Sequence, residues 1–411
     1  MIVPPMKIAF ISQYFYPEPF SNNEIAKYLV SQGHDVDAIC CVPNYPAGVF
    51  FNGYSNQVKR REVWEGVNIF RVRTVPRGSK SWQLLLNYIV YPFAAIWTFL
   101  TCARTQYNVS LVSMPSPLSQ AFAGVYLKYV RGVPLAYWVQ DIWPESAIYT
   151  LGLKSPFLTW PLSWICGWLY RRADLILVQS EAFPDMITRF RVPLDRISTF
   201  PNTAPDSYQP LRRGAPPEPI ENLPCNKFRV MFAGNIGESQ DFDTLLDAVK
   251  IVKEHKEIQF LILGSGRDLE RVQRRVEQEG LEDCIFFLGR HPEEEMPNYF
   301  TQADVMLVSL KDNPIFSLTV PYKIQCYLAC GKPIIASLKG EGARILNLAN
   351  AGITVNPEQP QELSDAILKL SNMPKHRLRA LGRNGRSYFN EKYNKPLVLG
   401  KLERDLESIS R

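Results

Sequence analysis

The chain alternates short apolar runs with amphipathic stretches, and this alternation occurs twice along its length. In the first half, apolar runs occupy residues 6–12, 35–42, 67–73, 109–114, 134–140 and 173–180. In the second half they occupy residues 228–233, 259–263, 285–288, 304–310, 333–336 and 353–355. Such runs, bounded by turn residues and separated by helical segments, predict mostly parallel, doubly wound sheets. Ligands of these sheets bind beyond the carboxyl ends of the strands.

A polar, proline-rich segment separates the two halves. From Pro201 to Pro224 the chain has no apolar period, which predicts a linker. We therefore predict an α/β protein with two Rossmann-like domains, 1–205 and 206–385, that face one another across a cleft. The chain closes with helical segments from Glu362 to Arg411.

Two aromatic segments in the first half do not have the pattern of an ordinary soluble helix. Residues 82–103 carry no charge, and residues 157–172 contain three tryptophans and end in two arginines. The first is long enough to span a bilayer, for which about 20 apolar residues suffice, but it lies between strands of one sheet and contains Pro92. A helix packed inside the domain, a helix lying in the membrane interface and a membrane span all remain open. The combination of Trp and Tyr with terminal Arg favours the interface.

Composition narrows the function classes. The 411 residues are 46% hydrophobic, enough for two domains of ordinary size. The net charge of +6 is modest, and no basic run interleaved with aromatics predicts nucleic-acid binding. Basic residues beside the aromatic segments favour an anionic membrane surface instead. The eight cysteines lack metal-ligand or disulfide spacing, so we expect free thiols, a reducing cytosol and no metal site. The first residues are typical of a strand rather than a signal peptide.

The segment Pro314 to Ser337 is the strongest candidate for an anion site. A small-residue loop, Ser317-Leu318-Thr319, leads to a helix that begins near Pro321 and carries Lys323 in its first turn. A loop that feeds a helix N-terminus directs backbone N–H groups and the positive end of the dipole at one place, which suits a diphosphate. A cation there is unfavourable unless something negative lies nearby. The alternative is an ordinary strand–loop–helix unit with a solvated lysine.

Two glycine-bearing turns in the second half have the same strand–turn–helix shape. The first contains Gly234, Asn235, Gly237 and Gln240, and the second contains Gly264 and Arg267. Each motif alone is weak evidence. Because both follow strands of the second domain, we expect them to lie near the Lys323 segment and to contact the same ligand.

Polar residues also follow two strands of the first half. After the first strand, Tyr16, Glu18, Asn22 and Asn23 are candidates for binding ligand hydroxyls, although either asparagine could simply cap the next helix.

The segment 138–146 ends a strand abruptly in polar and acidic residues. The amide of Gln140 and the carboxylates of Asp141 and Glu145 suit sugar hydroxyls, and Trp143 suits a sugar face. The alternative is that Asp141 only caps the following helix.

Taken together, these motifs resemble retaining glycosyltransferases of family four, which have the GT-B fold. The resemblance covers nearly the whole chain: SQYFYPE, SQGHDVD, VQDIWPES, FAGNIGESQDFDTLLDA, LILGSGRDLERV, FLGRHPEEEMPNYFTQAD and YKIQCYLACGKPIIAS. It is nearest to the N-acetyl-L-fucosamine transferases of bacterial O-antigen, capsule and colanic acid assembly. The resemblance implies a nucleotide-sugar in the second domain, an acceptor in the first, and neither metal nor other cofactor. It also implies a C-terminal helix, 386–411, that returns to the first domain.

The chain departs from the family pattern at the donor site. The Arg and Lys that usually hold the donor diphosphate fall at Asn235 and Gln240, and the usual Glu pair falls at Leu318 and Cys326. The usual His falls at Gln140. The residues that could substitute are the backbone amides of Ser317 to Thr319, Lys323, and Arg267 or Arg290.

The resemblance predicts transfer of a sugar from a UDP-sugar donor to a polyprenyl-diphosphate-linked sugar acceptor. The protein would be cytoplasmic and peripheral on the inner face of the bacterial membrane. We expect Asp141 and Lys323 to be catalytic, with Glu18 as a second candidate for the acceptor-side base. Two alternatives are a GT-B UDP-sugar epimerase and a non-catalytic scaffold of a polysaccharide assembly complex.

Overall fold

The structure, a computed structural model, describes residues 4–58, 60–77, 81–103, 106–114, 118–150, 155–211 and 227–410. It divides into two compact units, Met1–Phe200 with Leu399–Arg411, and Pro201–Val398. Each unit is built on one largely parallel sheet. The predicted fold class, α/β with two doubly wound domains, is therefore confirmed.

The first unit contains an eight-stranded sheet in the order β3-β4-β2-β1-β5-β6-β7-β8. Its strands are β1 (Lys7–Ile11), β2 (Asp35–Cys41), β3 (Arg61–Trp64), β4 (Val67–Val72), β5 (Val109–Met114), β6 (Leu135–Val139), β7 (Leu175–Val178) and β8 (Ile197–Thr199). Only the β3–β4 pair is antiparallel among the described strands of this sheet. The strand order reverses between β1 and β5, which is the position where doubly wound sheets bind ligands.

The helices of the first unit connect these strands. They are α1 (Ser21–Ser31), α2 (Ser81–Thr101), α3 (Ala121–Arg131), α4 (Glu145–Thr150), α5 (Pro156–Tyr170) and α6 (Phe183–Thr188). The crossovers through α2, α3 and α5 all run in the same direction across the sheet. Right-handed connections of this kind put their helices on one face, and α3 contacts both α2 and α5.

The second unit contains a six-stranded parallel sheet in the order β11-β10-β9-β12-β13-β14. Its strands are β9 (Phe228–Ala233), β10 (Ile258–Leu263), β11 (Ile285–Gly289), β12 (Val305–Ser309), β13 (Ile334–Ser337) and β14 (Gly352–Val355). Its strand order reverses between β9 and β12. Near-continuous burial along β10, β12 and β13 is what a parallel sheet covered on both faces requires.

Helices cover both faces of the second sheet. They are α7 (Phe242–Val252), α8 (Leu269–Gln278), α9 (Met296–Phe300), α10 (Pro314–Leu318), α11 (Tyr322–Ala329), α12 (Glu341–Ala349), α13 (Pro360–Ser371) and α14 (Lys375–Lys392), followed by α15 (Lys395–Ile409). One apolar cluster packs around α11 and α14, and another packs around α7 and α13. These two clusters hold the strand ends of the second sheet in place.

The first crossing lies five residues before the predicted one (200 against 205), and the second lies thirteen residues after it (399 against 386). Ala204 and Tyr208 pack in the second core, so the first crossing lies at Phe200 rather than at 205. Phe389 and Tyr393 also pack in that core, and only residues 399–411 belong to the first unit. Most of the predicted linker, residues 212–226, lies outside the described residues.

The sequence pattern does not predict β3 and β8. Both are short, and neither has a continuous buried run. The other described strands agree with the predicted runs to within a few residues.

The helix α2 has two distinct faces. Tyr91, Ala95 and Phe99 are buried against the domain, whereas Trp82 is 59% exposed and Phe93 is 69% exposed. Further exposed apolar residues lie on the same side of the helix at Leu85, Ile89, Trp97 and Leu100. The helix is long and apolar enough to cross a membrane, and 33% of its apolar stretch is buried. The alternative of a helix packed entirely inside the domain is therefore wrong.

Candidate active site

Glycine allows the turns after β9 and β10 to pack against each other. Gly264 lies so close to the first turn that a Cβ there would be 1.9 Å from the Gly234 carbonyl oxygen. The Gly234 N–H donates to the Leu263 carbonyl, and the Gly264 N–H donates to the Gly289 carbonyl. These contacts place the two predicted glycine motifs together at the carboxyl edge of the second sheet.

Lys323 lies against these turns. A Cβ on Gly234, whose φ is +134°, would be 2.7 Å from Lys323 Cε, so the missing side chain makes room for the lysine. Lys323 Nζ is 3.7 Å from the centroid of the Phe232 ring and donates a hydrogen bond to Gln240 Oε1. The structure thus brings together Gly234, Gln240, Gly264 and Lys323.

The charge of Lys323 has no carboxylate partner among the described residues. Burial lowers the pKa of this ammonium to about 7, and no negative group opposes the shift. A half-buried cation that no carboxylate neutralises favours the binding of an anion beside it. This agrees with the expectation that something negative binds beside Lys323.

Tyr327 was not predicted as a site residue, although it fixes the start of the Gly234 turn. Its hydroxyl donates to the Ala233 carbonyl and accepts from the Ala233 N–H, each at 3.1 Å. On that side, β9 pairs with β12 only as far as Phe232, so the hydroxyl replaces a missing strand partner. Nothing in the local sequence distinguishes Tyr327 from a core aromatic residue.

The segment Ser317 to Thr319 is not the open loop that the sequence predicts. Ser317 and Leu318 end the short helix α10, which Asn313 caps by accepting from the Ile315 N–H at 2.8 Å. The Ser317 N–H donates to the Asn313 carbonyl and the Thr319 N–H donates to the Phe316 carbonyl. These amides are already engaged, so the first turn of α11 is the better source of N–H donors beside Lys323. Whether Ser317, Leu318 and Thr319 contact a ligand remains a prediction.

The remaining predicted donor residues lie at the same edge. Asn235, Arg267 and Arg290 are exposed. Gly237 is packed against Asn235, since a Cβ on the glycine would be 2.7 Å from Asn235 Nδ2. Their assignment to the donor stays a prediction.

Glu18 has a structural position that does not support its predicted role as a base. It is 1% exposed, and its Oε1 accepts from the N–H groups of Asn44 and Tyr45 at 2.8 and 2.7 Å. Its Oε2 accepts from the Phe15 N–H at 3.3 Å. Burial raises its pKa while these backbone N–H groups lower it. The carboxylate therefore joins the loops after β1 and β2.

Asn22 is also committed to internal contacts. The helix α1 begins at Ser21 with Phe20 at the N-cap, so neither Asn22 nor Asn23 caps it and that alternative is wrong. Asn22 is 1% exposed; it donates to Ser12 Oγ at 2.8 Å and accepts from Ser113 Oγ at 2.8 Å. These bonds join the ends of β1 and β5.

The segment after β6 contains Asp141, a predicted catalytic residue whose side chain is exposed. Asp141 is exposed, and surrounding protein atoms raise the pKa of its carboxyl to about 6 without an opposing cation. Gln140 is half-buried, and its carbonyl accepts from the Gln179 side chain. The carbonyl of Trp143 accepts from the Tyr170 hydroxyl at 3.2 Å. Glu145 begins α4 and forms an ion pair with Arg189, which gives it a structural partner.

Tyr16 stacks on Trp64 of β3, with ring centroids 4.5 Å apart and ring planes 16° apart. Its carbonyl accepts from the buried Arg71 guanidinium at 2.8 Å. Because the sequence does not predict β3, it also does not predict this aromatic pair.

The neighbouring helices α2, α3 and α5 carry exposed apolar residues, which together we call the apolar face. Phe157 of α5 is 91% exposed. The other exposed members on α3 and α5 are Phe122, Tyr129, Val130, Trp160, Trp164 and Ile165. Arg172 lies 3.6 Å above the Trp168 ring at the end of α5. Large apolar patches bordered by cations are typical of binding surfaces.

Family models match the chain on both sides of the linker. Residues 21–203 match the glycosyl transferase 4-like domain, and residues 218–388 match the glycosyl transferases group 1 family. These matches cover most of both units.

Two relatives match most of the chain. The probable glycosyltransferase WbjE of Pseudomonas aeruginosa is 24% identical over 80% of this chain and 81% of its own length. WcaI of Escherichia coli (strain K12), named for a glycosyl transferase role in colanic acid biosynthesis, is 23% identical over 93% of this chain and 94% of its own.

Solved structures share the fold. Sucrose-phosphate synthase from Thermosynechococcus elongatus superposes with a TM-score of 0.74 at 18% identity, covering 98% of this chain and 99% of its own. HepE of Anabaena, solved with UDP, has a TM-score of 0.70 at 14% identity, and the match covers 98% of this chain and 100% of HepE. At these identities the likeness shows the two-domain fold of GT-B glycosyltransferases.

Proposed function

We propose, from the premise that this chain is a glycosyltransferase with the GT-B fold, that it moves a sugar from a UDP-sugar to a lipid-diphosphate-linked saccharide. The product would belong to a bacterial surface polysaccharide. The names of WbjE and WcaI and the UDP bound by HepE support this context. N-acetyl-L-fucosamine or a related deoxy-amino sugar is the proposed donor sugar.

The observation that carries the proposal is the Lys323 ammonium beside the Gly234 and Gly264 turns, which has no carboxylate partner among the described residues. A diphosphate bound there would raise the pKa of the lysine and keep it charged. The first turn of α11 would add N–H donors and the positive end of the helix dipole.

In the proposed reaction, the bond between the anomeric carbon and the UDP oxygen breaks, and the bond to the acceptor oxygen forms on the same face. Lys323 stabilises the negative charge that grows on the leaving diphosphate, an effect worth about 10²–10³-fold in rate for one such group. The diphosphate itself helps to take the acceptor proton. Asp141 orients the acceptor hydroxyl or supports positive charge at the anomeric carbon. Metal independence remains a prediction.

The identity of the donor sugar rests on Gln140. The family's histidine at this position contacts the 6-hydroxyl of the sugar, which a 6-deoxy sugar lacks. A buried group that loses its hydrogen-bond partner costs about 1–3 kcal/mol, so a different residue here is consistent with a deoxy donor.

The apolar face supports a peripheral position on the inner face of the cytoplasmic membrane. Its exposed Trp and Phe side chains would enter the headgroup boundary, and nearby arginines would contact anionic lipids. We propose the interfacial alternative for α2 rather than a span, because its opposite face is buried in the domain.

The test is incubation of the purified protein with a panel of UDP-sugars and a polyprenyl-diphosphate-linked saccharide, followed by mass spectrometry. We expect a product one sugar heavier, with Lys323→Ala losing at least about 100-fold in kcat/KM. Lys311→Ala is the matched control, because Lys311 lies at the same edge but already pairs with Glu238 at 3.0 Å. No product and no UDP release with any donor would refute the transferase. Equal loss in both variants would refute the role of Lys323.

A further inference from the structure

A cluster of aromatic residues surrounds Arg77 at the strand ends of the first unit, and the reaction above does not use it. Tyr14 follows β1, Tyr45 follows β2, and Arg77 follows β4. The ring centroid of Tyr45 is 5.3 Å from that of Tyr14 and 5.2 Å from that of Phe20. The guanidinium carbon of Arg77 lies 5.3 Å from the Tyr45 ring centroid. We call these four residues the Arg77 cluster.

Backbone hydrogen bonds hold this cluster in position. The Arg77 N–H donates to Asn44 Oδ1 at 3.0 Å, and Asn44 Nδ2 donates to the Val42 carbonyl at 2.8 Å. The N–H groups of Asn44 and Tyr45 are held by Glu18. A binding group positioned in this way loses little freedom when it takes a ligand.

The cluster presents hydrogen-bond donors that no carboxylate of the described residues satisfies. Within the described ranges, no carboxylate lies within ion-pair distance of the Arg77 guanidinium, which is half-buried. Tyr14 is 3% exposed; the Arg77 guanidinium lies within hydrogen-bonding reach of its buried hydroxyl, whose own proton has no acceptor among the described residues. The positive charge of Arg77 opposes the rise in the pKa of Tyr14 that burial causes, so the two groups are close. An anion would satisfy both donors.

The position of the cluster indicates where that anion comes from. The helix α2, which carries part of the apolar face, begins at Ser81, four positions after Arg77, so its start lies at most about 14 Å from Arg77. Asn87 of α2 bonds to Val75 and to Gln13 at the same strand ends. A lipid-borne anion places its charge at headgroup depth, directly beside an apolar surface that enters the membrane.

We propose that Arg77, supported by Tyr45 and Tyr14, binds the diphosphate that links the acceptor saccharide to its lipid. This inference rests on the proposed function and names the residue that recognises its acceptor. The planar guanidinium can hold two phosphate oxygens at once, which lysine cannot do. Arg77 therefore distinguishes a diphosphate-linked acceptor from the same saccharide on a neutral carrier.

The experiment compares Arg77→Gln and Arg77→Lys with the control Arg73→Gln, in which an exposed arginine of the same loop is removed. Each variant is assayed with the lipid-diphosphate saccharide and with the same saccharide as an uncharged octyl glycoside. We expect Arg77→Gln to raise KM for the diphosphate acceptor at least tenfold, with kcat and the octyl glycoside kinetics unchanged. Arg77→Lys should recover part of the loss, and Arg73→Gln should resemble the wild type. An equal loss on both acceptors, or no loss on either, overturns the proposal.

Two further measurements separate this inference from the proposed function. UDP release with the octyl glycoside as acceptor should be the same in Arg77→Gln as in the wild type, and its absence from the wild type with both acceptors counts against the transferase itself. Flotation with phosphatidylcholine vesicles that carry undecaprenyl diphosphate or undecaprenol then tests Arg77 independently of turnover. The wild type should prefer the diphosphate vesicles and Arg77→Gln should not; an equal preference in both proteins overturns the proposal.

Discussion

The carboxyl edges of the two sheets use their polar residues in opposite ways. In the first unit, Glu18 and Asn22 are almost fully buried, and their side chains bond to backbone and hydroxyl groups of neighbouring loops. In the second unit, Lys323 has a lowered pKa and a ring and an amide as neighbours, and no opposite charge lies beside it in the described ranges. The first arrangement stabilises the fold, whereas the second reduces stability until an anion binds.

The difference shows that a polar residue after a parallel strand is not by itself a ligand-binding residue. What separates the two classes is whether the hydrogen-bonding capacity or charge is already satisfied within the protein. By this criterion Lys323 and Asp141 are functional candidates, while Glu18 and Asn22 are structural.

The largest expected effect concerns Glu18. Glu18→Ala leaves three buried backbone N–H groups without an acceptor, so we expect a loss of about 3–5 kcal/mol in the stability of the first unit. Glu18→Gln retains one oxygen and should lose less. Thermal unfolding with a probe in the first unit measures both. A Glu18→Gln protein with normal stability but no transfer would instead support the catalytic base.

In contrast to Glu18→Ala, we expect Lys323→Met to increase the stability of the protein. Because the variant replaces a buried ammonium by an apolar side chain above Phe232, we expect the ligand-free protein to gain on the order of 2 kcal/mol at pH 6. The folded pKa of about 7 lies below the ordinary value, so the wild type becomes more stable as pH rises from 7 towards 10, and the gain should shrink over that range. Thermal midpoints at pH 6 and pH 9 test this. A gain that does not change with pH would contradict the uncompensated charge.

A smaller effect is expected on the apolar face. Trp97→Glu places a charge on a surface that would enter the membrane, and we expect binding to phosphatidylglycerol vesicles to weaken about tenfold. Leu348→Glu is the control, since Leu348 is 60% exposed on α12 of the second unit. Vesicle flotation measures both variants. Equal binding by both would show that the apolar face does not contact lipid.

The smallest effect concerns Asp141 and pH. Its ionised form should be the active one, and with a pKa of about 6 the ionised fraction falls about fourfold between pH 7 and 5.5. Over the same range the charged fraction of Lys323 rises about twofold, so we expect kcat/KM to fall about twofold. Asp141→Asn should be slower and should lack this acid limb. If kcat/KM of Asp141→Asn falls in the same way at low pH, then another group causes this pH dependence.

The strands, most helices and the two-domain division follow from the sequence because buried parallel strands leave continuous apolar runs. The glycine turns and Lys323 were also predictable, since a helix start with an unmatched cation is visible in the sequence. The strand β3 and its Tyr16–Trp64 pair were not predictable, because short edge strands have no continuous apolar run.

The sequence by itself determined the fold class, the position of the strand ends and the uncharged character of α2. Only the tertiary structure decided which polar residues are already satisfied, because the partners of Glu18, Asn22 and Lys323 lie on other loops at large separations along the chain. The local sequence pattern predicts helix and strand propensity and which residues are buried. Whether a charged or polar group is satisfied depends instead on the groups that the folded chain places next to it.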